Sequence, residues 1–503
     1  MTINKMKPLQ RREFIKAGIA GTAGILVPRV VFGNDLEEAK AYTISDFGAV
    51  GDGKKMNTVA IQKTIDKCTK NGGGMVIVPK GIFLTGGFEI KSNIEFHLEE
   101  GAVILGSPYM KDYKAKLPLS DARYGDYLRH ALVFAQKAKD ITVSGKGVFN
   151  GNGLLGESLG EFNIKSESSR PCLLWFDECE NILIKDITYK NSAMWTETYS
   201  RCKNVHVDRI TVTENYLYNA DGCNMVDCED FIIENCNINA MDDAICLKGY
   251  TNKGCIRGII RNNKVRSICN GIKMGTDSSG GFRDIIIENN EVWQTGIAGL
   301  ALEIADGGTM ENITVRNLKM DVVATPVFIM LSNRHRKVRG DMTVPSGIIR
   351  NIHISGIHAI VDKYKIYNDI ERKYFDFIPY ASSITGFPGQ DVEDVTIEDV
   401  NITIKGGFPK RNAEDTLREI PESGTKYPEN RMFGVLPAYG FYIRHARNMK
   451  MNSVHVTIEQ PDGRPALFLD DVHDSVFDDI SAKGITPTPA FSITQSCGCI
   501  TLK

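Results

Sequence analysis

The stretch YNADGCNMVDCEDFIIENCNINAMDDAICLKG, residues 218–249, sets one Asp in a small, Gly-flanked turn, Asp221, and places a double Asp, Asp242–Asp243, beginning 21 residues later. Carboxylates forced close together cannot all ionise freely, so one pKa rises while the others stay low, which separates an acid from a base. That is equipment for breaking a glycosidic bond: one protonated carboxyl donates to the leaving oxygen, and another activates water or attacks. Clustered carboxylates also build calcium sites, and some are no more than a solvated acidic ladder. Three acids so far apart in the chain need an element that brings them together.

The chain supplies one by repeating a short phrase: NILIKDI from Asn181, NVHVDRI from Asn204, DFIIENCNI from Asp230, DIIIENNEV from Asp284, NITVRNL from Asn312, NIHISGI from Asn351, DVTIEDV from Asp394 and NMKMNSV from Asn448. Each is a period-2 strand closed by a polar corner. The first intervals are 23 and 26 residues, and the next, 54, holds a further coil around RGIIRNNKV at Arg257. Later intervals lengthen, as when loops are inserted on one face of a solenoid. A repeat in the low twenties with short β-runs and no helical half predicts an all-β, right-handed parallel β-helix, with Asn at the corners because Asn tolerates left-handed bends. Solenoid ends need caps, and Val59, Ile61, Ile65 and Cys68 fall at a helical period, which predicts a short N-terminal capping helix over Thr58 to Lys70. On a coil of this length Asp221 and Asp242 are expected at equivalent places on successive coils, roughly 4.8 Å apart, with the chain bent at Asp242–Asp243 so that both face one patch.

Across the 503 residues, 60 Lys and Arg stand against 62 Asp and Glu, so no bulk charge points to nucleic acid or an anionic membrane surface. The N-terminus reads LQRREFIKAGIAGTAGILVPRVVFGND: Arg11–Arg12, then an uncharged run from Ala17 to Pro28. This is the pattern of a twin-arginine signal over residues 1–33, its apolar run too short to span a bilayer, and it predicts export to the periplasm or cell exterior. The remainder, 34–503, is expected to be a single β-helix domain with insertions around 361–383 and 406–434. The 12 Cys sit mostly singly in strand-like runs, as small buried hydrophobes do, with Cys497 and Cys499 the one candidate terminal pair.

NADG at Asn219, DDAICLKG at Asp242 and GIKMGT at Gly271 resemble the catalytic segments of the polygalacturonase family of glycoside hydrolases, family 28, and ISDFGAVGDG with NTVAIQKTID is similar to that family's N-terminal segment. The resemblance runs from about Ser45 to the last coils. It implies that Asp242 is the general acid, that Asp221 and Asp243 activate the attacking water with inversion at the anomeric carbon, and that Asn219 orients the cluster. It implies no cofactor and no metal ion, and a polysaccharide or oligosaccharide as the partner. Two departures stand out. Asn270 occupies the place of the family's His, and an amide cannot shift a carboxyl pKa as an imidazole can. Ala301 and Glu303 occupy the places of an Arg and a Lys that hold a uronate carboxylate. A Glu there repels a uronate, so the sugar on that side is expected to be neutral or held by other cations: Lys273, or the basic stretch Arg334, His335, Arg336, Arg339. Lys273 and Glu303 are alternatively a pair across adjacent coils.

Long insertions on one face of a solenoid build groove walls, and walls closing one end make an enzyme act at chain ends. Tyr364, Tyr367, Tyr374 and Phe375 are candidates for stacking on sugar rings or for packing within such a loop. Two rival readings stay open. A polysaccharide lyase on the same scaffold needs calcium and a cationic base, and the carboxylate patch offers no convincing Arg or Lys for that role. A non-catalytic carbohydrate-binding β-helix accounts for the altered His, Arg and Lys positions. The main expectation is an inverting glycosidase acting on a pectic or other uronate-containing chain.

Overall fold

The computed structural model describes residues 40–503 except 114–129, 164, 166–168, 214–215, 336–345, 369–372, 406–418, 423 and 486–488. The twin-arginine segment lies outside the described residues. Residues Lys40–Lys503 form one unit. Its strands stack in parallel, each paired with the strand one coil on, which is a parallel β-helix. Among the described residues the only antiparallel ladder joins Tyr364–Asn368 to Lys373–Phe377, in the first expected insertion.

The corners explain why this sequence coils. Asn181, Asn204, Asp230, Arg257, Asp284, Asn312, Asn351, Asp394 and Asn448, the first residues of the nine phrases, all have φ between 54° and 58°. Asn and Asp accept that left-handed conformation at lower cost than other side chains. Their amides also bond from coil to coil: Asn204 Nδ2 donates to Asn181 Oδ1 at 2.9 Å, Asn312 to Asp284 at 2.7 Å, and Asn351 to Asn312 at 2.6 Å. These links span 23, 28 and 39 residues, so the coil lengthens while its corner stays in register. Alternate Ile, Val and Phe residues point inward and form one continuous core. Cys179, Cys202, Cys228 and Cys255 occupy one inner corner position on four successive coils, linked by backbone bonds from the residues that follow. They are buried free thiols, as are most of the twelve cysteines; Cys497 and Cys499 are unpaired.

Helix α1, Thr58–Lys70, covers the N-terminal end over the spans expected for it. Its buried face is Ala60, Ile61, Thr64, Ile65 and Cys68. Val59, expected on that face, is 67% exposed, because the face is set one residue further round the helix.

Seven strands carry the site: β1 (Cys172–Asp177), β2 (Glu197–Ser200), β3 (Cys223–Val226), β4 (Ile245–Gly249), β5 (Ile272–Ser278), β6 (Leu300–Ile304) and β7 (Val327–Leu331). Their register runs Leu174, Glu197, Cys223, Ile245, Ile272, Leu300, Val327 along the inner face. The neighbouring outward row is Trp175, Thr198, Asn224, Cys246, Lys273, Ala301, Phe328. One inner position is polar: Glu197 is fully buried and accepts hydrogen bonds from the hydroxyls of Tyr189 and Tyr199.

Candidate active site

The three acids lie on corners that lead into β3 and β4, outside either strand. The register that pairs Cys223 with Ile245, together with the bond from Gly222 N to Asp243 O at 2.9 Å, puts Asp221 level with Asp243. The expected equivalence of Asp221 and Asp242 is therefore corrected: the coil has 22 residues between matching positions here, and Asp242 stands level with Ala220. The expected bend at Asp242–Asp243 is present, since both fall in the corner between Asn237–Ala240 and β4. Asn270 continues the Asp221–Asp243 column on the next coil, where Ala244 N donates to Asn270 O.

Asp243 is 4% exposed and held on both oxygens. Its Oδ1 accepts from Asn270 Nδ2 at 2.7 Å, and its Oδ2 lies 3.3 Å from Lys273 Nζ. Burial alone would raise its pKa, but Lys273, Lys248 and Asn270 together outweigh burial and hold it below the usual carboxylate range. Asp221, 2% exposed, is pushed well up by burial, against the pull of Lys248 Nζ at 3.3 Å from its Oδ2. Asp242 is the one member of the trio with appreciable exposure. Burial and the neighbouring Asp243 raise it to about 6. Asn219 Nδ2 approaches Asp242 Oδ2 at 3.5 Å, and Asn219 is itself held by buried Arg170, whose Nη2 donates to Asn219 Oδ1 at 2.9 Å. The other arm of Arg170 donates to Ala193 O and Tyr218 O at 3.0 and 2.6 Å, tying corners of two coils together.

Lys273 and Glu303 do meet across adjacent coils, Nζ to Oε2 at 3.8 Å, so Lys273 lies between Asp243 and Glu303. Burial raises Glu303 to about 8. Counting charge, four carboxyls (Asp221, Asp242, Asp243, Glu303) face two ammonium groups, and a buried cluster that stays near neutral keeps protons on two of the four. Arg334, offered as a free cation, is committed: its Nε donates to Asp306 Oδ1 at 2.9 Å and its Nη2 to Asp306 Oδ2, with Asp277 at 3.7 Å. Arg336 and Arg339 lie outside the described residues.

The expectation that the carboxylate patch lacks a convincing Lys is corrected by Lys248 and Lys273. Neither is a base, because burial would lower each pKa but the surrounding acids outweigh it and raise both well above the ordinary value. Two ammonium groups against the acid oxygens also leave a donor set that does not suit calcium. Among the described residues a second acid cluster, His206, Asp208 and Glu234, has its carboxylates taken by Arg209, Asn235 and Arg261.

Sequence reasoning missed Lys248, Arg170 and Tyr427. Lys248 shares the outward parity of Cys246, the residue level with Lys273, and that parity was the available signal. Its Nζ also lies 4.9 Å from the Trp195 ring, which stacks on Trp175 at 6.0 Å. Tyr427 comes from the second insertion, with its ring centroid 5.5 Å from Lys273 Nζ and 5.5 Å from Arg334 Cζ.

The described parts of both insertions pack beside the site. Ile366 and Phe377 of the hairpin pack against Ala220 and Met241, beside the acids. Tyr364 stacks on Phe377 at 4.6 Å and Phe375 meets Tyr218 at 6.4 Å, which is packing; the side chains of Tyr367 and Tyr374 lie outside the described residues. On the C-terminal side Ile420, Phe433 and Leu436 cover Ala301, Phe328, Met330 and Tyr442. Asn430 Nδ2 anchors that cover by donating to Ile297 O at 2.7 Å and Thr325 Oγ1 at 2.8 Å.

A parallel β-helix with paired and single Asp on neighbouring corners defines a class, and the sequence comparison defines the family. The model for glycosyl hydrolases family 28 matches residues 68–415, and the chain belongs to that family. It is 29% identical over 303 residues to a probable polygalacturonase of Vitis vinifera, covering 56% of this chain and 61% of that protein. It is 26% identical over 346 residues to an exo-poly-alpha-D-galacturonosidase of Dickeya chrysanthemi, covering 58% and 57%. The chain thus spans about three fifths of the length of these curated relatives. The fold is similar to that of a hyperthermoactive exopolygalacturonase from Thermotoga maritima, with TM-score 0.57 and 23% identity over 72% of this chain and 87% of that one.

Proposed function

We propose that this protein hydrolyses glycosidic bonds in a pectic, uronate-containing polysaccharide or oligosaccharide, with inversion at the anomeric carbon. The observation that supports the reading is the split ionisation of three carboxyls on adjoining corners, in a chain whose matched relatives are named as polygalacturonases. Asp242, the most accessible and raised to about 6, gives its proton to the glycosidic oxygen as the bond from that oxygen to the anomeric carbon breaks. A water held by Asp221 and Asp243 forms the new bond on the opposite face and passes its proton to that pair. Asp243, held ionised by Lys273, Lys248 and Asn270, takes that proton, while Asp221, which burial pushes up, positions the water. The cover that Ile420, Phe433 and Leu436 lay over Ala301, Phe328 and Met330 supports action at chain ends. The protein acts outside the cytoplasm, a reading that rests on Arg11–Arg12 and the short apolar run.

The test is product analysis over polygalacturonan, rhamnogalacturonan and their oligosaccharides, with wild type and Asp242→Asn in parallel, with and without chelator. Saturated sugars released by wild type alone, unaffected by chelator, support the reading. Unsaturated products lost on chelation mean a lyase, and binding without any new reducing ends means a carbohydrate-binding protein. Release of short products before the long chains shorten supports chain-end action. Export is checked by cell fractionation of an Arg11→Lys, Arg12→Lys variant, which should stay inside.

A further inference from the structure

Two of the chain's three tryptophans meet on the N-terminal side of the acids. Trp175 lies on β1, and Trp195 lies in the corner that leads into β2. Glu197 is level with Cys223, and Thr196 N donates to Asp221 O at 2.9 Å. Trp195 therefore stands level with Asp221 and opens the column that Asp221, Asp243 and Asn270 continue. Its ring stacks on that of Trp175 at 6.0 Å and 7°, and both sit in an apolar cluster with Cys172, Met194, Val226 and Tyr250. Stacked in this way and 5% exposed, Trp195 has no open face for a sugar ring.

The ring meets a charge instead. Lys248 Nζ lies 4.9 Å from the Trp195 centroid, 3.3 Å from Asp221 Oδ2 and 3.2 Å from Cys246 Sγ. An ammonium has three N–H donors, and the carboxylate, the sulfur and the aromatic face account for them. The Lys248 side chain is 9% exposed, so an indole face stands where water would otherwise complete the ammonium's shell. A lysine stem is long and flexible, and holding it in one geometry has an entropic cost. Strand β4 fixes only where that stem begins; Asp221 and the Trp195 face fix where it ends.

We propose that Trp195 is a positioning residue for hydrolysis: its stacked ring seats the Lys248 ammonium against Asp221, and that seat, not contact with sugar, is its part in the reaction. The inference rests on the hydrolase reading and adds to it a residue outside the carboxylate motif. Lys248 acts on all three acids: it pulls Asp221 and Asp242 down against burial and helps to hold Asp243 ionised. The titratable groups facing it are Asp221, Asp243, Cys246 and Lys273. Burial raises Cys246 well above its ordinary range, so it stays a thiol, and Lys273 is raised and stays charged. An unseated ammonium would weaken its pull on the three acids together, so both limbs of the pH dependence should move upward.

The experiment is a cycle of Trp195→Leu and Lys248→Met, singly and together, read as kcat, KM and the pH dependence of kcat/KM on the substrate found by the product panel. With Lys248 present, Trp195→Leu should lower kcat roughly fivefold or more, raise both limbs by about 0.5 to 1 in pH and leave KM within about twofold. In the Lys248→Met background the same change should move the limbs little; water entering the vacated space acts in both backgrounds and cancels. Trp195→Phe, which keeps a ring over the ammonium, should recover most of the loss. Limbs that shift equally in both backgrounds, or a KM that rises while kcat holds, overturn the proposal. Should Trp195→Leu fail to fold, Trp195→Met takes its place in the cycle. Tryptophan fluorescence gives a readout that needs no catalysis. A charge at an indole face shifts its emission, so Lys248→Met should move the emission maximum, and that difference should vanish in a Trp195→Phe background. If no substrate is cut but the spectra behave this way, the Lys248 seat stands and the hydrolase reading falls; equal spectra with and without Lys248 remove the seat.

Discussion

Replacing Lys273 by Met tests whether the buried ammonium groups set the ionisation of the acids. Lys273 Nζ lies 3.3 Å from Asp243 Oδ2, and both side chains are about 5% exposed, so solvent screens the pair little. At an effective dielectric constant of about 20 their attraction is on the order of 5 kcal/mol. Asp243 keeps Asn270 and the more distant Lys248, and its charge is spread over two oxygens, so roughly half of that should be lost, which raises its pKa by about two. The acidic limb of the pH dependence of kcat/KM, set by Asp243 in its lowered state, should then move upward by a similar amount. The alkaline limb, set by Asp242 near 6, also rises, because Lys273 pulls Asp242 down as well. The two limbs draw together, and their overlap alone should lower peak activity about two- to threefold. The assay is reducing-sugar release from the substrate found by the product panel, between about pH 3 and 9, with thermal melting to show that the variant folds. Lys273→Arg, which keeps the charge, is the control. An acidic limb unmoved in a folded Met variant would show that Asp243 owes its low pKa to something other than Lys273.

Asn270→Ala removes the 2.7 Å bond to Asp243 Oδ1 and should move the acidic limb the same way by less, with a stability loss of about 1–3 kcal/mol in denaturant titration; an unchanged midpoint and limb count against the column of Asp221, Asp243 and Asn270. Arg170→Met loses the bonds to Ala193 O, Tyr218 O and Asn219 Oδ1, so kcat should drop roughly tenfold or more as the Asn219 corner loosens, with KM moving less; a kcat equal to wild type refutes the clamp. Glu197→Gln removes a core acid that burial raises from 4.5 to about 7. A carboxyl raised in the folded state favours its protonated form, so wild-type stability should fall as pH climbs from about 4.5 to about 7, by up to about 3 kcal/mol, and stay low above. The Gln variant should lack that fall and melt higher at pH 8; melting curves that decline in parallel for both proteins defeat the prediction.

Much of this was legible because a β-helix writes its geometry into sequence one coil at a time. The nine phrase-opening residues, from Asn181 to Asn448, are all left-handed corners; eight are Asn or Asp, which accept that φ readily, and several bond to the corner one coil away, as Asn204 does to Asn181 and Asn312 to Asp284. The match of Asp221 with Asp242 missed by one residue for a physical reason. Corners absorb single residues without disturbing the flanking strands, so spacing between corner residues is looser than spacing between strand residues. The pairing of Cys223 with Ile245 gives the true interval, and only the strand register carries it. Tyr427 was invisible for a different reason: it reaches Lys273 across 154 residues from an insertion that has left the period altogether.

The division between strand and corner also accounts for how the charges are arranged. Lys248 and Lys273 stand on the outward face of β4 and β5, where alternation gives their side chains one direction only, and where β-strand pairing fixes their height along the axis. The acids stand on the adjoining corners, where the chain can turn two consecutive carboxylates toward one patch, which a strand cannot do. Rigid cations on the sheet and adjustable acids at its edge let the same two lysines hold Asp221 and Asp243 by one oxygen each, at 3.3 Å in both cases, while Asp242 is left facing outward. An acid that must meet substrate needs exposure, while an acid that must stay ionised needs cations close enough to outweigh burial. Placing them as neighbours in the chain, one level with Ala220 and the other level with Asp221, meets both needs without moving either strand.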